Sequence, residues 1–208
     1  MADEIFRDVG GTGIGLLVAD DVGGDGGMER AVKALAGIKN GASKAIGSAL
    51  RRAMSSGSML AQKEIQKQYT MSAGTYKSYT RTRSHVTSGA DGTTAEITFA
   101  GEHIPLYKYD VKIGSDGRVS ARVKRSSART ALEHAFAQKV GGAGHMGIFQ
   151  REGTARLPIH ELFGPSVPQI LGYEGNDDLT KEIGDKIREK FEERIDHEIL
   201  ALLNGWRA

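Results

Sequence analysis

Apolar residues recur along the chain in two rhythms, and the places where one gives way to the other mark its elements. From Met28 onward, Val32, Leu35, Ile38, Ala42, Ile46, Ala49, Leu50, Ala53 and Met54 return every three or four residues, with Lys33, Lys39, Lys44, Arg51 and Arg52 between them. That period predicts a helix with one narrow apolar face. Gly37, Gly41, Gly47 and Gly57 each weaken such a helix by about 1 kcal/mol relative to alanine, so their presence has two readings, close packing against another backbone or flexibility. Beyond Ser55-Ser56-Gly57-Ser58 the pattern resumes through Met59, Leu60, Ile65 and Tyr69, which allows one long helix or two with a bend. Ser72 is placed to cap a short helix over Ala73–Lys77.

The period then falls to two. Tyr79–Thr87 is rich in threonine and basic residues, and Thr93–Ala100 sets Ala95, Ile97 and Phe99 on one face against Thr94, Glu96 and Thr98 on the other. Ser88-Gly89-Ala90-Asp91-Gly92 joins them as a hairpin loop by composition. In a second hairpin, Tyr109, Val111 and Ile113 alternate with Asp110 and Lys112, Ser115-Asp116-Gly117 makes the turn, and Val119, Ala121 and Val123 alternate with Arg118, Ser120, Arg122 and Lys124. Ala128–Val140 fits helix or strand, and His145–Arg151 reads as a further strand.

A terminal helix is predicted from about Asp178 to Leu203, opened by Asp177 and Asp178 and closed by Asn204-Gly205. Its apolar residues Leu179, Ile183, Ile187, Phe191, Ile195 and Ile199 recur every four positions. Each step turns ~400°, so the stripe drifts ~40° per step and ~200° over its length. Such a stripe is expected to meet the sheet at one end and something else at the other, for which a neighbouring subunit is the natural candidate. The fold class is α+β, with long N-terminal and C-terminal helices packed on a mostly antiparallel sheet and a flexible Gly-rich N-terminal arm. The arm is assigned to residues 1–27 and a single domain to 28–208.

That arm holds eight of the 28 glycines between Gly10 and Gly27, around an apolar patch of Ile14, Leu16, Leu17 and Val18 that could dock on a partner as a strand or short helix. Gly10-Gly11-Thr12-Gly13-Ile14-Gly15 lacks the Gly-Lys-Ser/Thr of a phosphate loop. Zero cysteines remove disulfides, thiolate metal sites and a cysteine nucleophile. The six histidines, at 85, 103, 134, 145, 160 and 197, show no paired-ligand spacing, so neither metal nor cofactor is expected. No Gly-x-Ser-x-Gly elbow supports hydrolase chemistry, and Asp177-Asp178 and Glu192-Glu193 read as a solvated helix face. With no apolar run near the roughly 18 residues that cross a bilayer, and an acidic start at Asp3, Glu4 and Asp8, neither a membrane location nor secretion is expected.

Charge is distributed in blocks. Residues 1–30 hold two basic and seven acidic side chains, residues 31–173 hold 20 and nine, and residues 174–208 hold six and ten. The middle therefore faces either phosphates or acidic protein surfaces. Arg118, Arg122, Lys124, Arg125 and Arg129 form a basic run on and after the second hairpin, with no acidic residue inside its span. Without interleaved aromatics, any nucleic-acid contact there would be to phosphate and independent of sequence.

The most specific stretch is Gly147-Ile148-Phe149-Gln150-Arg151, followed by Arg156-Leu157-Pro158-Ile159-His160-Glu161-Leu162-Phe163-Gly164-Pro165-Ser166-Val167-Pro168-Gln169. It resembles the signature of the prophage minor tail protein Z family, tail-completion proteins of long-tailed bacteriophages. That pattern runs Gly-x-Phe-x-Arg and then Arg-Leu-Pro-Ile-x-Glu-Leu-Tyr-Gly-Pro-Ser-Ile-Pro-Gln, from which Phe163 and Val167 depart conservatively. A looser resemblance extends over roughly residues 45–200, through Leu50-Arg51-Arg52-Ala53, Glu64-Ile65, Tyr69 and Ile104-Pro105-Leu106.

The resemblance implies a structural virion protein without catalytic residues, assembled in the host cytoplasm and acting at the head-proximal tail end or neck. It implies a homo-oligomeric ring, hexameric by the symmetry of tail tubes, in contact with a tail terminator, tail tube or connector. Pro158, Pro165 and Pro168 stiffen the stretch. The partner-binding candidates are Phe149, Arg151, Leu157, Pro158, Ile159, Leu162, Phe163, Gly164, Pro165 and Pro168. The plainer reading is that Leu157, Ile159, Leu162 and Phe163 cover the sheet. The rival function is a sequence-independent nucleic-acid-binding module that contacts phosphates through Arg118, Arg122, Lys124, Arg125 and Arg129.

Overall fold

The computed structural model describes residues 6–8, 13–18, 26–89, 92–140, 145–153 and 155–205. In chain order the elements are β1 (Phe6–Asp8), β2 (Gly13–Val18), α1 (Gly27–Ala34), α2 (Gly41–Gln68), α3 (Ala73–Tyr79), β3 (Thr80–Gly89) and β4 (Gly92–Gly101). There follow β5 (Ile104–Pro105), a 3-10 turn at Leu106–Lys108, β6 (Asp110–Ile113), β7 (Val119–Arg122), β8 (Thr130–Leu132) and β9 (Ala135–Val140). The chain ends with β10 (His145–Arg151), β11 (Ile159–Glu161), β12 (Phe163–Gly164), α4 (Val167–Leu171), a second 3-10 turn at Glu174–Asn176 and α5 (Asp177–Leu203). The class is α+β. The chain divides into two compact units: one takes in residues 1–61, 82–100 and 171–208, the other 62–81 and 101–170.

In the first unit a four-stranded sheet of order β1-β2-β4-β3 carries α2 and α5. Alternation on β4 buries Ala95, Ile97 and Phe99, the face predicted for them. From the Gly-rich stretch, Phe6–Asp8 and Gly13–Val18 are strands, and β2 pairs antiparallel with β4 from Gly13↔Ala100 to Val18↔Ala95. The apolar patch at Ile14–Val18 thus docks as a strand on the chain itself. Residues 1–5, 9–12 and 19–25 of the predicted arm, Ala90 and Asp91 of the first hairpin loop, and Gly141-Gly142 after β9 lie outside the described residues.

The amino-terminal helical pattern breaks earlier than expected. Residues 35–40 form a turn, Asn40 adopts a positive φ of 57°, and α2 then runs through Ser55–Ser58 without interruption. Two facts account for this. Asparagine tolerates the left-handed region that ends α1's extension, and a Cβ on Gly41 would lie 2.9 Å from the Ile38 Cβ, which keeps the turn tight. Within α2, the Ser55 and Ser56 hydroxyls donate to the Arg52 carbonyl at 2.8 and 3.3 Å, so the serines are accommodated by the helix itself. The predicted glycines differ from one another. A Cβ on Gly57 would meet Ile97 Cδ1 at 2.5 Å and Ile187 Cδ1 at 3.3 Å, so α2 approaches side chains of β4 and α5 there; a Cβ on Gly37 would meet nothing within 4 Å.

Along α5, all six residues of the four-residue stripe, Leu179 to Ile199, are buried. The drift is absorbed within the chain, which corrects the expectation that a neighbouring subunit covers one end. Ile187 packs toward Gly57, Ile195 lies against Gly27 of α1, and the buried Glu198 carboxylate pairs with Arg52 Nε at 3.2 Å. Helix α1 is clasped to the same helix. Gly27 N donates to Glu192 Oε1 at 3.0 Å, placing a carboxylate at the positive end of α1, and Arg30 donates to Glu192 and Asp196. Asn176, rather than Asp177 or Asp178, occupies the cap position of α5, and the two aspartates fill its first turn. Gly205, at φ 70°, closes the far end, its N–H donating to the Leu202 carbonyl.

The second unit is built from short strands in three small sheets, β11-β10-β9, β12-β5 and β6-β7-β8. Ala128–Val140 resolves as β8 and β9 instead of a helix. Ser72 caps α3 as predicted, accepting from Thr75 N at 3.1 Å. Thr70 ties the end of α2 to β6 and β7: its N–H donates to the Val123 carbonyl at 2.9 Å, its hydroxyl donates to the Arg122 carbonyl at 2.7 Å, and that oxygen accepts from Asp110 N at 3.1 Å.

Candidate functional site

The signature stretch and the basic run both lie in the second unit. The two halves of the signature are partner strands: β10 pairs antiparallel with β11 through Phe149↔Glu161, Gln150↔His160 and Arg151↔Ile159. The chain then threads onto β5, with Phe163 opposite Pro105 and Gly164 opposite Ile104. Leu162 stitches the passage, donating from its N–H to the Ile148 carbonyl at 2.7 Å and accepting from Leu106 N at 2.9 Å. Gly164 is required because a Cβ there would overlap the Tyr109 ring. That ring's hydroxyl donates to the Pro165 carbonyl at 2.6 Å, and burial pushes its pKa upward.

A capping box ends the segment. Ser166 Oγ accepts from Gln169 N at 3.4 Å while Gln169 Oε1 accepts from Ser166 N at 2.9 Å, and α4 starts between them. The Ser-x-x-Gln spacing carries this motif in the sequence, although the stretch was read there for its prolines. Tyr109 was likewise read only as a strand position, and nothing local in the sequence announces its bond to Pro165.

The predicted partner-binding residues separate by exposure. Phe149, Gly164 and Pro168 are buried, and Ile159, Leu162 and Pro165 are half-buried. Arg151, Leu157, Pro158 and Phe163 are exposed, Leu157 by 66% and Phe163 by 49%. Arg151 stacks over the Phe136 ring at 4.5 Å, and His103 lies beside Phe163 with ring centroids 6.3 Å apart. Phe163 is held out on a strand paired with β5 and so is available for docking without a folding step, and Leu157 is exposed in the stretch just before β11.

The basic run is brought together differently. The β6–β7 register sets Asp110 opposite Arg122. Its Oδ2 accepts from Arg122 Nε at 3.0 Å and from Arg129 Nη2 at 2.5 Å, with Arg122 Nη2 2.8 Å away, and these guanidiniums, Arg129 above all, hold the Asp110 carboxyl below its ordinary pKa. Arg125 donates from its backbone N–H to the Gln68 carbonyl and from Nε to the Gln66 carbonyl, at 2.7 and 2.8 Å, closing the end of α2. Lys124 sits over the Tyr69 ring at 5.5 Å, and Arg118, 90% exposed, pairs with Asp116 at 3.4 Å. A phosphate reaching Arg122 or Arg129 would compete with Asp110, an acid eight residues before the run begins in sequence. Among the described residues, no group of three or more His, Cys, Asp or Glu is placed to hold a metal ion, and no helix is long and apolar enough to cross a membrane.

The family model of Prophage minor tail protein Z (GPZ) matches residues 26–204. No curated protein matches, and no solved structure matches.

Proposed function

Because the chain belongs to the prophage minor tail protein Z family, whose members are structural components of phage tails, we propose that it completes the tail at its head-proximal end or neck. It does so as an oligomeric ring that docks on a neighbouring tail or connector protein through the signature hairpin. The observation that carries this reading is the exposure of Phe163 on a segment whose backbone is fixed by β5, β10, Tyr109 and the Ser166–Gln169 box, with Leu157 exposed just ahead of it. Preformed apolar anchors on a rigid edge suit permanent assembly, since little ordering entropy is lost on docking.

The test is complementation of a tail-defective lysogen with Leu157→Ser/Phe163→Ser, scored by electron microscopy of the particles. The expected result is soluble variant protein with tails that fail to join heads. Normal virions carrying the variant would remove the docking role.

A further inference from the structure

A second basic surface lies on α2, outside the basic run that drew attention in the sequence. Of its 28 residues five are basic, Lys44, Arg51, Arg52, Lys63 and Lys67, and the one acid, Glu64, is buried against Lys67. At 100° per residue, Lys44, Ser48, Arg51, Ser55 and Met59 fall on one line pointing away from the core residues Ala49, Ala53 and Gly57. Lys44 and Arg51 are exposed and form no ion pair among the described residues, and Met59 is 55% exposed.

Helix α5, in the same unit, presents the opposite. Asp178, Glu182, Asp185, Glu189, Glu193 and Asp196 lie within about 80° of arc on its outer side, and Leu200 and Leu203, both more than half exposed, continue that line. Lys186, Arg188, Lys190 and Arg30 engage Glu182, Asp185, Glu193 and Asp196 from the flanks; Asp178 and Glu189 form no ion pair among the described residues.

We infer that the outer face of α2 docks on the outer face of α5 of a second copy of this chain. One occupant then satisfies both stripes, whereas a nucleic acid would be attracted to α2 and repelled by α5. The exposed Met59 and the Leu200–Leu203 pair supply apolar area beside the charges. A surface that carries both complements can associate with itself, whether the contact is two-fold or head-to-tail. This rests on the self-assembly part of the proposed function and names its contact.

The test uses sedimentation velocity on the full chain in about 0.1 M and about 1 M salt, over which the Debye length falls from about 10 Å to about 3 Å. Lys44→Glu/Arg51→Glu and Glu189→Lys/Glu193→Lys, each checked for wild-type circular dichroism, are run alone and mixed. The expected result is salt-weakened self-association, at least about tenfold loss in either variant alone, and recovery in the mixture, where the substituted residues again meet the opposite sign. Assembly by both variants as by wild type overturns this contact and leaves the ring reading standing. Failure of the mixture to recover also overturns it, as does loss of duplex DNA retention in Lys44→Glu/Arg51→Glu with assembly intact. A wild-type monomer in both salts overturns the contact and the ring together.

Discussion

The two hairpin regions of the second unit use their conspicuous residues in opposite ways. Between Asp110 and Arg129, Arg122, Arg125 and Arg129 turn toward one aspartate and toward backbone carbonyls, so a run that looks reactive in sequence is largely engaged in holding β6, β7 and the end of α2. Between Gly147 and Gln169 the apolar residues divide: Ile148 and Phe149 enter the core, while Leu157 and Phe163 stay in solvent. Residue type therefore marks a region without saying which of its members are available to a partner. Availability depends on what the far strand brings opposite each side chain.

That contrast can be broken or sharpened by substitution. The largest effect is expected from Ile148→Ala, which empties a fully buried position in the central strand of the signature sheet and should cost about 2–5 kcal/mol in urea denaturation. A loss below about 1 kcal/mol would mean the signature is not anchored as described. Gly164→Ala should follow, at about 1–3 kcal/mol, because the new methyl displaces the Tyr109 ring. Tyr109→Phe removes only the bond to the Pro165 carbonyl and should cost about 0.5–1.5 kcal/mol; together the two substitutions should fall short of additivity, since they act on one contact.

On the basic side, acidity is the probe. The Asp110 carboxyl is held below its ordinary value of 3.8, so its ionised form contributes stability above the unfolded-state pKa, and that contribution is lost as pH falls through the folded-state pKa. Urea midpoints of wild type and Asp110→Asn should therefore differ at about pH 6 and converge toward about pH 3; a gap constant across that range would show that the arginines do not depend on this carboxylate. The smallest effect on stability is expected from Leu157→Ser, within about 0.5 kcal/mol by thermal melt, since the side chain is mostly in solvent. A large loss of stability there would make Leu157 a folding residue and remove it from the docking surface.

Much of the architecture was legible in advance where a signal is local. The hairpin around Asp116-Gly117, the Ser72 cap and the four-residue stripe of α5 each occur where they were expected, although Ile113 of β6 is exposed and does not share a buried face with Tyr109. The turn at 35–40 was not, because the three-to-four residue period continues across it and only Asn40 and Gly41 mark the stop. Half of the candidate site was legible in the same sense: the signature was found, but its division into Phe149 within and Phe163 without follows from pairing with the neighbouring strand β9 and with β5, which lies far off in sequence.

Along the chain, side-chain order alone determined which segments coil, which extend and which stretch ties this protein to a tail-protein family, because side-chain direction repeats with the backbone's own period. Tertiary structure decided that α1 and α2 cover the drifting face of α5, that Asp110 meets Arg122 and Arg129, and that Leu157 and Phe163 remain outside. Those outcomes depend on contacts between residues distant in sequence, whose energies exist only once the intervening chain has closed.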